Sequence, residues 1–261
     1  MTTYRNGVSE GDPACLFGDG TASAVPDAWL DAAPMTDLYF CAGDNKRFAQ
    51  IAIDAGLRYG ARLPTRVHYP IQFADQNWMK PDLSSYSSSI RQHRPQLATV
   101  LDWEQEEQLS EVLTWAEEIA PYVETIIVIP KVYGGIPLIP ERIGGKAIRL
   151  GIPCGPQQGK APPLWEFERR PVHVLGGQPH RQMALARYLN VVSVDCSVTA
   201  YMARLKCAYW TERKEKGAKS RYWAQLQEIG LGNFGRDSLY EAFSRSCSNI
   251  VKAWAKFDSY Q

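Results

Sequence analysis

Short apolar blocks recur along the chain, separated by polar stretches of helical period. Asp37 to Ala42 (DLYFCA) reads as a first strand, and Asp44 or Asn45 as the cap of a helix that runs to Ala55 and stops at Gly56. Leu57 to Leu63, Tyr69 to Asp75 and Gln96 to Leu101 read as further strands, with a short helix in the Ser-rich residues 82–92. In 105–119, Leu109, Val112, Leu113, Trp115 and Ile119 recur at helical spacing. Glu124 to Ile129 is the plainest strand and Ala147 to Ile152 another, with Gly- and Pro-rich connections at 133–145 and 154–163. Trp165 to Phe167 reads as a short strand.

The stretch Val172 to Val198, VHVLGGQPHRQMALARYLNVVSVDCSV, organises the rest. An apolar run, Val172 to Leu175, ends in Gly176-Gly177, Pro179 opens an amphipathic segment, and a second run, Val191 to Val194, ends in Asp195-Cys196. After Thr199 the pattern turns helical, with basic and aromatic residues interleaved over 204–223, and residues 240–255 form a last amphipathic helix.

Apolar strands separated by helices imply a parallel sheet covered on both faces. Eight such units close into a (β/α)8 TIM-like barrel of about 250 residues. This chain, at 261 residues, is near that size, with some connecting helices shortened or missing. An open doubly wound sheet competes, but no GxGxxG follows an early strand and there is no GxxxxGK[ST]. The expected organisation is an irregular arm over residues 1–33 and a single α/β barrel domain over 34–261 that carries C-terminal helices.

Composition removes several classes. The net charge of +1 gives no global field towards nucleic acid, so any basic surface is local. The six cysteines include no CxxC or CxC pair, and the four histidines are dispersed. That argues against a zinc site, a catalytic metal or a disulfide framework, and for reduced thiols in the cytoplasm. No apolar run is long enough to span a bilayer, and the first residues lack the basic and apolar regions of a signal peptide.

The candidate chemistry sits where strands end. Asp102 and Asp195 follow apolar strands on the same face of the sheet, and a barrel would point both into one cavity. Two such carboxylates suit acid/base work with nucleophilic attack at an anomeric carbon. Each could equally cap the helix that follows it. Asp75, Gln76 and Asn77 could bind the edge of a planar ligand, with Trp78 stacked on its face, or could serve turn chemistry. Glu104 is a second acid or a first-turn charge. His173, inside an apolar strand, reads as a hydrogen-bonded core histidine. His180 and Arg181 follow Gly176 and Gly177 at a helix start, an arrangement able to hold phosphate, or equally a loop histidine and a solvated arginine. Arg204, Lys206, Arg213 and Lys214, among Tyr209, Trp210, Tyr222 and Trp223, suit a nucleic-acid groove or a solvated surface helix.

These residues resemble the tRNA-guanine transglycosylase superfamily. The stretch from Val172 to Val198 resembles the region that ends in its nucleophilic aspartate, and "ATVLDWE" its earlier strand ending in Asp-Glu. "AIRLGIPCG", with Gly151, is similar to its base-pocket strand. The resemblance covers roughly residues 37–210 and is nearer to short, phage-associated relatives that act on DNA, the DpdA-like deazaguanine transglycosylases. It implies a (β/α)8 barrel that exchanges guanine in DNA, rather than tRNA, for a 7-deazaguanine base such as preQ0, with no external cofactor. It implies that Asp195 attacks C1′ to form a covalent glycosyl-enzyme and that Asp102 binds the base edge and shuttles protons. Such an enzyme works on an extruded nucleotide in the cytoplasm, that of the host if phage-encoded; a homodimer is allowed for. The chain departs from the tRNA enzymes in lacking their cysteine-rich zinc site. Pro130-Lys131 stands in place of their Gln-Gly-Gly, and Ser197-Val198-Thr199 in place of their Pro-Thr-Arg. An N-glycoside hydrolase and a non-catalytic nucleic-acid-binding barrel remain as alternatives.

Overall fold

The structure, a computed structural model, describes residues 35–42, 45–154, 161–209, 222–230 and 237–260. The arm at residues 1–33, Trp210, Arg213 and Lys214 lie outside the described residues. In chain order the regular elements begin with β1 (Asp37–Ala42), α1 (Lys46–Asp54), β2 (Arg58–Leu63), β3 (Phe73–Gln76), α2 (Leu83–His93) and β4 (Leu97–Trp103). They continue with α3 (Leu109–Ile119), β5 (Thr125–Pro130), β6 (Arg142–Ile143), β7 (Lys146–Pro153), β8 (Val172–Leu175), α4 (Pro179–Ala186) and β9 (Val191–Asp195). The chain closes with α5 (Val198–Arg204), β10 (Cys207–Tyr209), β11 (Trp223–Gln225) and α6 (Asp237–Asp258). No helix among the described residues is long and apolar enough to cross a membrane.

Strands β1, β2, β3, β4, β5, β7, β8 and β9 pair in parallel in that order, and β9 returns to β1, so the ladder has no free edge. This is the closed eight-stranded α/β barrel expected from the sequence. Among the described residues the one antiparallel member of this sheet is β6, which lies on β7. Among the described residues no α-helix follows β2, β5 or β7.

The side-chain period of two divides each strand between two cores. Phe40, Ala61, Ala98, Val128, Leu150, Val174 and Val194 face the helices. Tyr39, Phe73, Leu97, Ile127, Ile129 and Leu175 form a separate cluster inside the barrel. Gly151 belongs to this interior, where a Cβ would come within 2.6 Å of Ile129 Cγ1 and 2.9 Å of Ile127 Cγ2.

Three expectations about local structure need correction. The third strand starts at Phe73 rather than Tyr69, and Pro70, with no N–H to give a ladder, lies just outside it. Trp165 to Phe167 belong to a 3-10 turn over Leu164–Phe167 that opens after Pro163, with Phe167 fully buried. The helix expected to continue past Arg204 ends there, and β10 and β11 pair antiparallel instead. Cys207, Ala208 and Tyr209 are all buried, which a one-faced surface helix would not permit. Helix α6 satisfies the strand's backbone: Tyr209 N–H donates to Ser246 Oγ at 2.9 Å, and Asn249 Nδ2 donates to the Tyr209 carbonyl at 2.6 Å. Tertiary pairing here overrides local pattern.

Adding a methyl group at Gly151 forces a shift in the packed barrel interior. Gly151→Ala is expected to lower unfolding stability by about 1–3 kcal/mol. A fall in the urea midpoint with an unchanged slope would bear this out, and an unchanged midpoint would contradict it.

Candidate active site

The C-terminal mouth of the barrel holds a cavity of about 610 Å³. Its walls come from the last inward residue of successive strands, and Asp75, Asp102 and Asp195 all line it. So do Gln76, Asn77, Trp78, Gly176, Arg62 and Lys131.

Asp195 ends β9 and is 8% exposed. Its Oδ1 accepts the Gly176 N–H at 2.8 Å and lies 3.3 Å from His173 Nε2. The helix that follows has no side-chain cap from Asp195, and Ser197 occupies the cap position. Gln182, fully buried on α4, donates through Nε2 to the Gly176 and Asp195 carbonyls, both at 2.7 Å. This ties the Gly loop to the end of β9. The left-handed backbone of Gly176 (φ 58°) and Gly177 (φ 77°) turns the loop so that the Gly176 N–H faces the carboxylate.

Asp102 reaches the cavity through an irregularity in β4. Thr99 pairs with Ile127 but Asp102 pairs with Ile129, so one extra residue is inserted between them. The bulge reverses the phase of alternation and brings Asp102 alongside the inward Ile129. Lys131, just beyond β5, sits 2.7 Å from Asp102 Oδ2 and 2.7 Å from Glu104 Oε1. Burial raises the Asp102 carboxyl above its usual range, against the pull of the Lys131 ammonium. Burial pulls Lys131 down, but its two carboxylate partners outweigh that and hold the ammonium more firmly protonated.

Asp75 is the register partner of Arg62 on β2, whose Nε lies 3.3 Å from its carboxylate. Burial, and next the Asp195 charge, push Asp75 up to about 7 despite Arg62. A carboxyl that titrates near neutrality can both give and take a proton. Gln76 is 2% exposed, and neither its Oε1 nor its Nε2 has a hydrogen-bond partner among the described residues. Asn77 Oδ1 is buried and unpartnered as well. Buried amides left open in a cavity wall are costly unless something fills them.

Of the residues singled out in the sequence, Asp195, Asp102, Asp75, Trp78 and Gly176 meet in this cavity. Gly151 packs in the barrel interior, and Gly177 lies against Cys154, where a Cβ would come within 2.6 Å of its Sγ. His180 stacks on Tyr222 with centroids 3.9 Å apart, outside the cavity wall. Burial, and next Arg181, push its imidazole down to about 4, so it offers no cation to a phosphate at neutral pH. Arg204 is exposed in the last turn of α5 and Lys206 in the turn before β10, both away from the cavity wall. Sequence reasoning passed over Arg62, Lys131 and the contact of His173 with Asp195. A signal for the first existed: Arg58, Gly60 and Arg62 alternate on one side of β2. Among the described residues, no group of three or more His, Cys, Asp or Glu side chains is placed to hold a metal ion.

Fold and site define a (β/α)8 barrel with a carboxylate-lined cavity at its C-terminal mouth. Residues 50–255 match a family of unknown function, DUF6610, and the chain belongs to that family. No curated protein matches it. Among solved structures, a monomeric form of the dimeric phosphoribosylanthranilate isomerase of Thermotoga maritima is 12% identical. That match covers 63% of this chain and 87% of that one, with a TM-score of 0.32.

Asp75 gives the fold a pH dependence of known sign. Its folded value of about 7 lies above the ordinary 3.8, so the folded state binds the proton more tightly. Stability from this group is full below about 4 and is lost as pH rises to about 7. At about 1.4 kcal/mol per unit, solvent screening of this partly exposed side chain leaves a few kcal/mol as a ceiling. Asp75→Asn is therefore expected to stabilise the protein at pH 8 and change little at pH 4, as read by thermal unfolding. The opposite trend would contradict the assignment.

Proposed function

We propose that this protein is a pentosyltransferase that exchanges guanine in DNA for a 7-deazaguanine base through a glycosyl-enzyme on Asp195. The observation that carries this reading is the setting of Asp195. One of its oxygens is tied to Gly176 N–H and His173, in a cavity shared with two further carboxylates and an open buried amide.

In this reading the free Asp195 oxygen attacks C1′ of an extruded guanosine nucleotide. The C1′–N9 bond breaks, its electron pair leaves with guanine, and the base takes a proton from Asp75. The incoming deazaguanine gives its N9 proton back to Asp75, attacks C1′ and releases Asp195, so protons balance over the cycle. Asp102, held beside Lys131, accepts from the N–H edge of the base, and Gln76 reads the remaining edge with one donor and one acceptor. The proton role thus falls to Asp75, whose titration near 7 suits it better than Asp102.

Further support comes from the rim. Trp78, Tyr133 and Trp165 are exposed on loops after β3, β5 and β7, and the last two rings lie 6.2 Å apart. Such aromatic faces suit bases lifted from a stack. No cofactor is required by this chemistry, and it belongs in the cytoplasm, that of the host for a phage-encoded enzyme.

The test is incubation with guanine-containing DNA and labelled guanine or preQ0, wild type beside Asp195→Ala. Wild type should place label in DNA at least about 10³-fold faster than Asp195→Ala and should leave a DNA adduct stable to denaturation. Label entering equally with both proteins would remove Asp195 from its role. Base release without label entry would make the protein a hydrolase, and DNA binding without either would make it a binding barrel.

A further inference from the structure

We propose that His173 is a positioning residue for Asp195, held as its Nε2–H tautomer by Arg149 acting through Ser193. The proposal rests on the reading of Asp195 as the reacting carboxylate.

The chain of contacts runs down the inside of the barrel. Arg149 Nη1 donates to Ser193 Oγ at 2.6 Å. Ser193 Oγ lies 2.6 Å from His173 Nδ1, and His173 Nε2 lies 3.3 Å from Asp195 Oδ1. Both ends of this chain have fixed polarity: a guanidinium only donates and a carboxylate only accepts. The Ser193 hydroxyl, receiving from Arg149, turns its one proton to Nδ1. Nδ1 is then bare, and Nε2–H donates to Asp195. The reverse tautomer would set the Nε2 lone pair against the carboxylate and leave the hydroxyl proton without an acceptor among its described partners. The doubly protonated ring is opposed by complete burial, and Arg149 also disfavours it, against the opposing pull of Asp195 and Asp37. The remaining walls are aromatic, with the Phe73 ring 5.0 Å and the Tyr39 ring 6.2 Å away.

The result is a neutral donor on one side of the reacting group. Asp195 Oδ1 carries two N–H donors, from Gly176 and His173, whereas Oδ2 has no partner among the described residues. Two donors on one oxygen stop the carboxyl from rotating, so the same oxygen is presented at every turnover. A neutral imidazole does this without the full charge that would blunt the nucleophile.

The tautomer is read directly from long-range 1H–15N correlations of protein labelled at its four histidines, with His173→Gln assigning the signal. Wild type should show His173 protonated at Nε2 alone at pH 7. Ser193→Ala should move the bare Nδ1 resonance towards that of unbonded imidazole. In the exchange assay, His173→Leu should lower kcat by about 10²-fold at nearly constant KM, and His173→Gln, which keeps an N–H near Nε2, should recover most of it. A proton on Nδ1 in wild type, an Nδ1 resonance unmoved by Ser193→Ala, or equal kcat for the Leu and Gln variants would each overturn the proposal. A wild type that exchanges no base would sink the transglycosylase reading and with it the catalytic part of this one, while the spectrum would still decide the tautomer.

Discussion

Crowding of negative charge at one end of a closed barrel is the constraint on which the site depends. Asp75, Asp102 and Asp195 share a cavity whose walls withhold much of the water that would screen them. Like charges in such a space raise one another's affinity for protons unless each has its own counterweight. Each has a different one. Lys131 stands against Asp102, Arg62 stands against Asp75, and Asp195 is met by two neutral donors. The unequal counterweights separate the three groups chemically although they are the same residue type.

Closure of the sheet makes this separation possible. Because β9 pairs with β1, no strand can slide, and every inward residue has a fixed height above the barrel floor. Gly151 lets Ile127, Ile129 and Leu175 come together, the last two as part of the cavity wall. The β4 bulge then shifts Asp102 into phase with them. A carboxylate on a loop would relax away from its neighbours; one at the end of a closed strand is kept in place.

Much of this was legible in the sequence, for a physical reason. Asp102, Asp195 and Asp75 each follow an apolar run, and a strand buried on both faces announces its own end. What could not be read was whatever depends on register between strands. His173 is apparent as a histidine in an apolar strand, but its partners Ser193 and Asp195 follow from an irregular pairing of β8 with β9. Lys131 reads as a residue after a strand-ending proline until β5 is set beside β4. Residues 207–209 look helical because their strand character is supplied by α6, far along the chain.

The lack of an α-helix after β5 and β7 among the described residues separates two kinds of evolutionary freedom. Tyr133 and Trp165 sit on those connections, where the described residues hold 3-10 turns rather than an α-helix. The carboxylates sit on strands, where one inserted residue would turn them away from the cavity. Loop length and sequence at the rim can therefore drift while the carboxylates stay in register. Chains that share this barrel should differ most along its rim and least in the three carboxylates at its mouth.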